Sequence, residues 1–207
     1  MRKLLSELLL ALCKKVTSER FAALNASVTA GAGFTCPCLF LGESMENLKF
    51  YEVDPKYIDY LVPLAPHMFH NKKPGQNNDR KYIGVVFTIN GFEYFAPLSS
   101  FKDKHKKMKD GLDFIKIKNY AVINLNTMFP VPPSERTYVN INTEKNPQYR
   151  NLLLAEYRFI KAIQEKIRKN AKTLYRIKLK DGNSTALAKR CNDFSALESA
   201  CKAYKRT

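Results

Sequence analysis

The hydrophobic pattern is clearest between Tyr82 and Ala96. Residues 82–89 form an apolar run rich in β-branched and aromatic side chains, the composition of a strand. Asn90-Gly91 follows, and a type I′ hairpin turn needs positive φ at both central residues, which this pair tolerates. Residues 92–96 are the returning strand. Pro97, with no N–H to give a ladder, marks its expected end. Upstream, residues 48–53 alternate as a strand. Asp54-Pro55 then starts a helix, Asp as cap and Pro at the first helical position, with Tyr57, Ile58 and Leu61 on one face. Downstream, residues 114–117 and 120–125 read as strands, the prolines of 128–133 close that region, and 138–141 is a short strand. From Pro147 the period changes. Leu152, Leu153, Tyr157, Ile160, Ile163 and Ile167 recur at helical spacing and predict a long helix over 148–170, with Lys161, Lys166, Arg168 and Lys169 on its other side. A further helix or extended segment over 171–179 leads to a turn at Asp181-Gly182-Asn183. Ser195 and Glu198 fit a capping box opening a short final helix. Strands first and helices later predict an α+β fold, with a strongly curved antiparallel sheet flanked by helices.

The first 44 residues break this pattern. They contain no Tyr and carry a Gly/Ala/Thr-rich middle. Residues 4–12 are apolar after Arg2-Lys3, as in a signal peptide, but Glu7 interrupts the run and Lys14-Lys15 end it. It is also too short to span a bilayer. Met45 then begins a segment that reads like a natural start. We expect residues 1–44 to be an extension, from a translated upstream segment or a poorly packed tail, and 45–207 to form a single domain.

Charge narrows the partners. With 35 Lys+Arg against 19 Asp+Glu, the net charge of +16 favours a polyanion, nucleic acid first. Five cysteines (Cys13, Cys36, Cys38, Cys191, Cys201) make no paired framework, so a reducing cytoplasm is expected. Cys36-Pro37-Cys38 lacks the second pair that a metal set needs, and no metal or cofactor is expected. There is no Gly-rich phosphate loop, no HExxH, no GxSxG and no acidic cluster suited to a two-metal nuclease. The polar residues that follow the hairpin are Ser99, Ser100, Lys102, Lys104 and His105, with Lys106, Lys107 and Lys109 beyond. Loops at the end of a rigid hairpin are frequent sites. RNA cleavage without a metal suits such residues, because the substrate brings its own nucleophile, the ribose 2′-OH. The protein needs only to position that hydroxyl, move protons and stabilise charge on the phosphate.

Five segments carry a resemblance: LKFYEVDPKYIDYL (48–61), KYIGVVFTINGFEYFAPLSSFKDKH (81–105), VINLNTMFPVP (122–132), YRFIKA (157–162) and CNDFSALESACKAY (191–204). In this order and spacing the chain resembles the ToxN/AbiQ family of type III toxin endoribonucleases. The resemblance implies a Kid/MazF-like barrel-type core. It implies metal-independent cleavage, at A-rich sites, leaving 2′,3′-cyclic phosphate and 5′-hydroxyl ends. It further implies inhibition by a repeated pseudoknot RNA antitoxin in a closed toxin–RNA assembly, and a role in abortive phage defence. The family's catalytic hydroxyl falls on Ser100, its preceding Thr/Ser position on Ser99 and its nearby lysine on Lys102. A second family lysine falls on Arg80, which keeps the charge but holds its proton near neutral pH. Lys81 is the neighbouring substitute. The family's loop tyrosine has no clean match here: Gln76 to Asn78 occupy the region, and His70 or Lys73 is expected to do its work. Lys104, His105, Lys106 and Lys107 complete the expected RNA-contacting set. The alternative is a non-catalytic RNA-binding module that kept the basic face and lost its base through Arg80.

Overall fold

The computed structural model describes residues 47–68 and 80–206. The expected extension over 1–44, its three cysteines, and the loop carrying His70 and Lys73 lie outside the described residues.

Seven strands form one antiparallel sheet: β1 (Lys49–Val53), β2 (Tyr82–Ile89), β3 (Phe92–Ser100), β4 (Phe114–Ile117), β5 (Ala121–Asn124), β6 (Phe129–Pro130) and β7 (Arg136–Tyr138), in the order β4-β5-β3-β2-β1-β7 with β6 on β3. Asn90 and Gly91 take φ 50° and 81°, as the turn requires. The sheet is mixed with helices as expected. Among the described residues it is open, ending at β4 on one side and β7 on the other.

Pro97 does not end β3. The strand runs on to Ser100, and Pro97 stands opposite Tyr82 while Leu98 N donates to the Lys81 carbonyl across it. On its other edge β3 pairs with β6 at Tyr94 and Phe95, and with β5 at Leu98–Ser100. Pro97 falls between these two registers, where its missing N–H leaves no ladder bond unmade. A second irregularity lies in β2, which advances from Ile83 to Phe87 while β3 advances only from Ala96 to Tyr94. Bulges of this kind bend a strand and increase its twist. At this bend Gly84 lies under the Phe95 ring, so closely that a Cβ would fall 2.0 Å from a ring carbon.

Helix α1 (Pro55–Leu61) is capped by Asp54, whose side chain accepts from Lys56 N, and buries Tyr57, Ile58 and Leu61. The long helix α3 (Pro147–Asp181) follows the short α2 (Asp103–Lys107); α4 (Ala186–Lys189) and α5 (Phe194–Ala203) complete the set. The expected break after residue 170 is absent. Ala171, Leu174 and Tyr175 continue the buried stripe of Leu153, Ile160 and Ile167, so 35 residues form one helix, which Gly182 ends at φ 56°. Leu152 and Ile163 are only half-buried. The stripe packs on the sheet face carrying Phe50, Ile83, Ala96 and Leu98. The opposite face, with Tyr82, Phe95 and Phe129, is covered by α1 and α5. The cap of α5 is Asp193, which accepts from Ala196 N, rather than the Ser195 box. Glu198 is instead engaged by the hydroxyls of Tyr94 (2.7 Å) and Tyr175 (2.8 Å). The strand expected at 138–141 lies earlier, over 136–138, because the chain leaves the sheet to form a 3₁₀ turn at Ile141–Thr143.

Candidate active site

The last three residues of β3 are fixed by β5, with Ser99 opposite Val122 and Ser100 opposite Ala121. Burial falls away toward the end of the strand: Leu98 is buried, Ser99 half-buried and Ser100 exposed. Arg80, just ahead of β2, reaches this end from the neighbouring strand. Its Nη1 donates to Ser99 Oγ at 2.9 Å and to the Leu98 carbonyl at 3.3 Å. Asn124, on β5, donates its amide to the same Ser99 Oγ at 3.2 Å. A serine hydroxyl has two acceptor lone pairs and one donor hydrogen. Two donors therefore fill its acceptor positions, and the Ser99 O–H keeps its donor capacity. Burial pushes the Arg80 guanidinium down from its ordinary range, yet Arg keeps its proton at neutral pH. The result is a fixed, partly desolvated positive charge behind Ser99. The Ser100 hydroxyl has no hydrogen-bond partner among the described residues.

Lys102 follows one residue after Phe101, whose N–H is held by the Tyr120 carbonyl at 3.1 Å. The backbone of Lys102 is held twice by His105: its N–H donates to His105 Nδ1 at 3.0 Å and its carbonyl accepts from His105 N at 2.8 Å. The His105 ring is 6% exposed and lies between Phe101 and Phe114, both centroids 5.6 Å away. With Nδ1 accepting, the ring proton is on Nε2. Burial, then the charges of Lys104 and Lys102, push His105 below its ordinary value and keep it neutral. Structurally, then, His105 anchors the lysine that carries the candidate chemistry. The side chain of Lys102 is exposed beside Ser100 in the chain.

The remaining expected residues separate into two groups. Lys104, Lys106 and Lys107 are exposed along α2, and Lys106 pairs with Asp103 at 2.7 Å. Lys81 does not join Ser99 and Ser100. Its side chain is 10% exposed and its ammonium is on the Glu52 carboxylate of β1. Arg80 reaches the end of β3, whereas Lys81 reaches the opposite neighbour, β1. As a substitute for Arg80, Lys81 is thus already committed elsewhere. Asn124 and Glu52 escaped the sequence reading. The alternation in VINLN marks Asn124 as a polar position among apolar ones, but its partner depends on the β3–β5 register.

Comparison with known proteins follows this geometry. The family described as Toxin ToxN, type III toxin-antitoxin system, matches residues 49–202. An endoribonuclease ToxN from Bacillus thuringiensis subsp. kurstaki is 32% identical over 168 residues, covering 77% of this chain and 86% of the relative. Endoribonuclease AbiQ from Lactococcus lactis subsp. lactis is 29% identical over 173 residues, covering 77% of this chain and 91% of the relative. Two solved structures superpose on most of the chain. One, a toxin selectively inhibited by a non-coding RNA pseudoknot, has a TM-score of 0.68 at 30% identity and covers 78% of this chain and 100% of its own. The other, the lactococcal anti-phage endoribonuclease AbiQ, gives 0.66 at 27% identity, covering 77% and 98%.

Proposed function

Because this chain belongs to the ToxN family of type III toxin–antitoxin systems, we propose that it is an endoribonuclease toxin held in check by a pseudoknot antitoxin RNA. It acts in the cytoplasm in defence against phage. The observation that carries the reading is Arg80 fixed 2.9 Å from Ser99 Oγ, beside an exposed Ser100 and Lys102. In this reading the ribose 2′-oxygen attacks the adjacent phosphorus and loses its proton. The bond to the 5′-oxygen breaks, and that oxygen takes up a proton. The products are a 2′,3′-cyclic phosphate and a 5′-hydroxyl. Ser100 holds the 2′-OH and phosphate in line. Ser99 donates to a non-bridging oxygen, and Arg80 and Lys102 balance the charge that gathers there. No metal enters these steps, since the nucleophile is the substrate's own. Arg80 contributes charge rather than proton transfer. The α2 lysines Lys104, Lys106 and Lys107 neutralise phosphates of an A-rich substrate or of the antitoxin, and His105 serves by holding Lys102. Toxin and antitoxin form a closed assembly.

Residues 45–207 are the toxin domain in this reading and 1–44 an extension. A relation to a Kid/MazF-type core belongs to it as well, supported by the bend in β2 and the change of neighbour along β3. Among the described residues no helix is long and apolar enough to cross a membrane.

The test is incubation of the purified protein with an A-rich RNA in EDTA, beside Ser100→Ala. The parent is expected to give fragments ending in cyclic phosphate, and the variant to lose at least a hundredfold in rate, about the scale of removing one transition-state donor. RNA that stays intact with both proteins yet shifts on a gel would replace the toxin with a non-catalytic RNA-binding module.

A further inference from the structure

Ser99 is held from the strands on both sides of it. Arg80, at the entry to β2, donates to its Oγ at 2.9 Å, and Asn124, the last residue of β5, donates to the same atom at 3.2 Å. The β3–β5 register brings Asn124 there. Ser99 stands opposite Val122, and Asn124 lies two residues further along β5. The two side chains therefore share a sheet face as a diagonal pair. The backbone of Asn124 is itself fixed: it pairs with Phe114 of β4, and its carbonyl accepts from Thr127 Oγ1 at 3.3 Å. Arg80, Ser99 and Asn124 are all half-buried.

We propose that Asn124 is a positioning residue: its amide commits the Ser99 hydroxyl to donating, which reserves Ser99 for a non-bridging oxygen of the scissile phosphate and excludes the attacking ribose 2′-OH. The inference rests on the RNA-cleavage reading above and supplies what fixes Ser99 within it. With Arg80 as its one partner, the hydroxyl would keep a lone pair and a hydrogen, interchangeable by rotation about the C–O bond. It could then accept from a 2′-OH or donate to a phosphate. The Asn124 amide takes the second lone pair, so the one bond left to Ser99 is a bond that it donates. That polarity suits only one of the two substrate groups. The 2′-OH has to give up its proton, which a hydroxyl with no free lone pair cannot receive. A hydrogen bond donated to the 2′-oxygen would also tie up the electron pair that attacks. A non-bridging oxygen only accepts. It gains negative charge as the 2′-oxygen adds to phosphorus, so a donor fixed in advance binds it most strongly in the transition state. Asn124 touches no substrate in this arrangement and acts through Ser99.

The experiment measures single-turnover cleavage by the full chain of a short A-rich RNA. At the cleaved linkage, sulfur replaces one or the other non-bridging oxygen, and each diastereomer is assayed separately. Sulfur accepts hydrogen bonds weakly, so the parent should prefer one diastereomer by about tenfold or more, the scale of one hydrogen bond to a charged group. Ser99→Ala and Asn124→Ala should each erase most of that preference. Asn124→Asp keeps the side-chain shape but accepts the Ser99 hydrogen, so it should erase the preference as well, whereas an asparagine needed only for packing would leave it intact. The added carboxylate charge slows both diastereomers alike and drops out of the ratio. In a Ser99→Ala background, Asn124→Ala should cost about twofold at most, because the hydroxyl it acts through is already gone. Thermal unfolding checks that each variant is folded, and if Asn124→Ala is not, Asn124→Asp carries the test. A parent without a preference, a preference retained in Asn124→Asp, or a loss from Asn124→Ala that is equal with and without Ser99 would overturn the inference. Each of these leaves the toxin reading intact, because RNA is still cleaved. A parent that does not cleave RNA removes both.

Discussion

Glu156 lies on the buried face of α3, 4% exposed, and burial raises its carboxyl from an ordinary 4.5 to about 7. A carboxyl that titrates higher in the folded protein binds more protons folded than unfolded between those two values. Stability therefore falls as pH rises through that interval and is level above it. At about 1.36 kcal/mol per pH unit the interval is worth about 3 kcal/mol. Glu156→Gln keeps the side-chain shape and removes the titration. Near pH 4.5 the variant and parent should melt within a degree or two of each other. At pH 8 the variant should be more stable by about 3 kcal/mol, which at roughly 2–4 °C per kcal/mol for a domain of this size is about 6–12 °C in Tm. Circular dichroism melts of both proteins across this range measure the difference directly. Taking the difference cancels the pH-dependent repulsion that a net charge of +16 brings to both. A gap between the two curves that does not change with pH would refute the reasoning, because desolvation of the carboxylate is the only cause it invokes.

His105→Ala removes the acceptor of the Lys102 N–H and should lower both stability, by about 1–3 kcal/mol, and the single-turnover cleavage rate. His105→Asn, which keeps an acceptor, should recover part of the rate; equal rates for both variants would show that the anchor is irrelevant. In the parent, His105 is held neutral by burial, so the unfolded chain takes up a proton at a higher pH than the folded one. Its contribution to stability is present above the ordinary histidine value and declines as pH falls below it, a trend that His105→Asn should flatten in melting experiments. Gly84→Ala places a Cβ 2.0 Å from a ring carbon of buried Phe95, an overlap that should destabilise by about 1–3 kcal/mol, measurable as a lower urea midpoint.

The parts legible in sequence were those decided by neighbours in the chain. The Asn90-Gly91 turn, the Asp54 cap and the pairing of β2 with β3 all follow from local residues and appear where expected. The continuation of α3 was obscured because Asn170 interrupts the apolar stripe; in the fold its amide donates to the Gly111 carbonyl at 3.2 Å, so a polar side chain fits a buried position. Pro97 misled because a lone strand needs its N–H, whereas a strand that changes neighbours has one position where none is used. At the site, Ser99, Ser100 and Lys102 are close in sequence and were visible together. The meeting of Arg80 with Ser99, the amide of Asn124 and the capture of Lys81 by Glu52 are set by strand register, which composition does not encode.

The change of neighbour along β3 also divides the site mechanically. Ser99 and Ser100 are tied to the β4–β5 hairpin, while Arg80 is carried by the chain entering β2. The Arg80–Ser99 hydrogen bond and the Leu98–Lys81 bond are stitches across that seam. A ligand that pries the hairpin outward therefore draws the guanidinium away from the serine without touching either, and one that clamps the hairpin against β2 locks the two in contact.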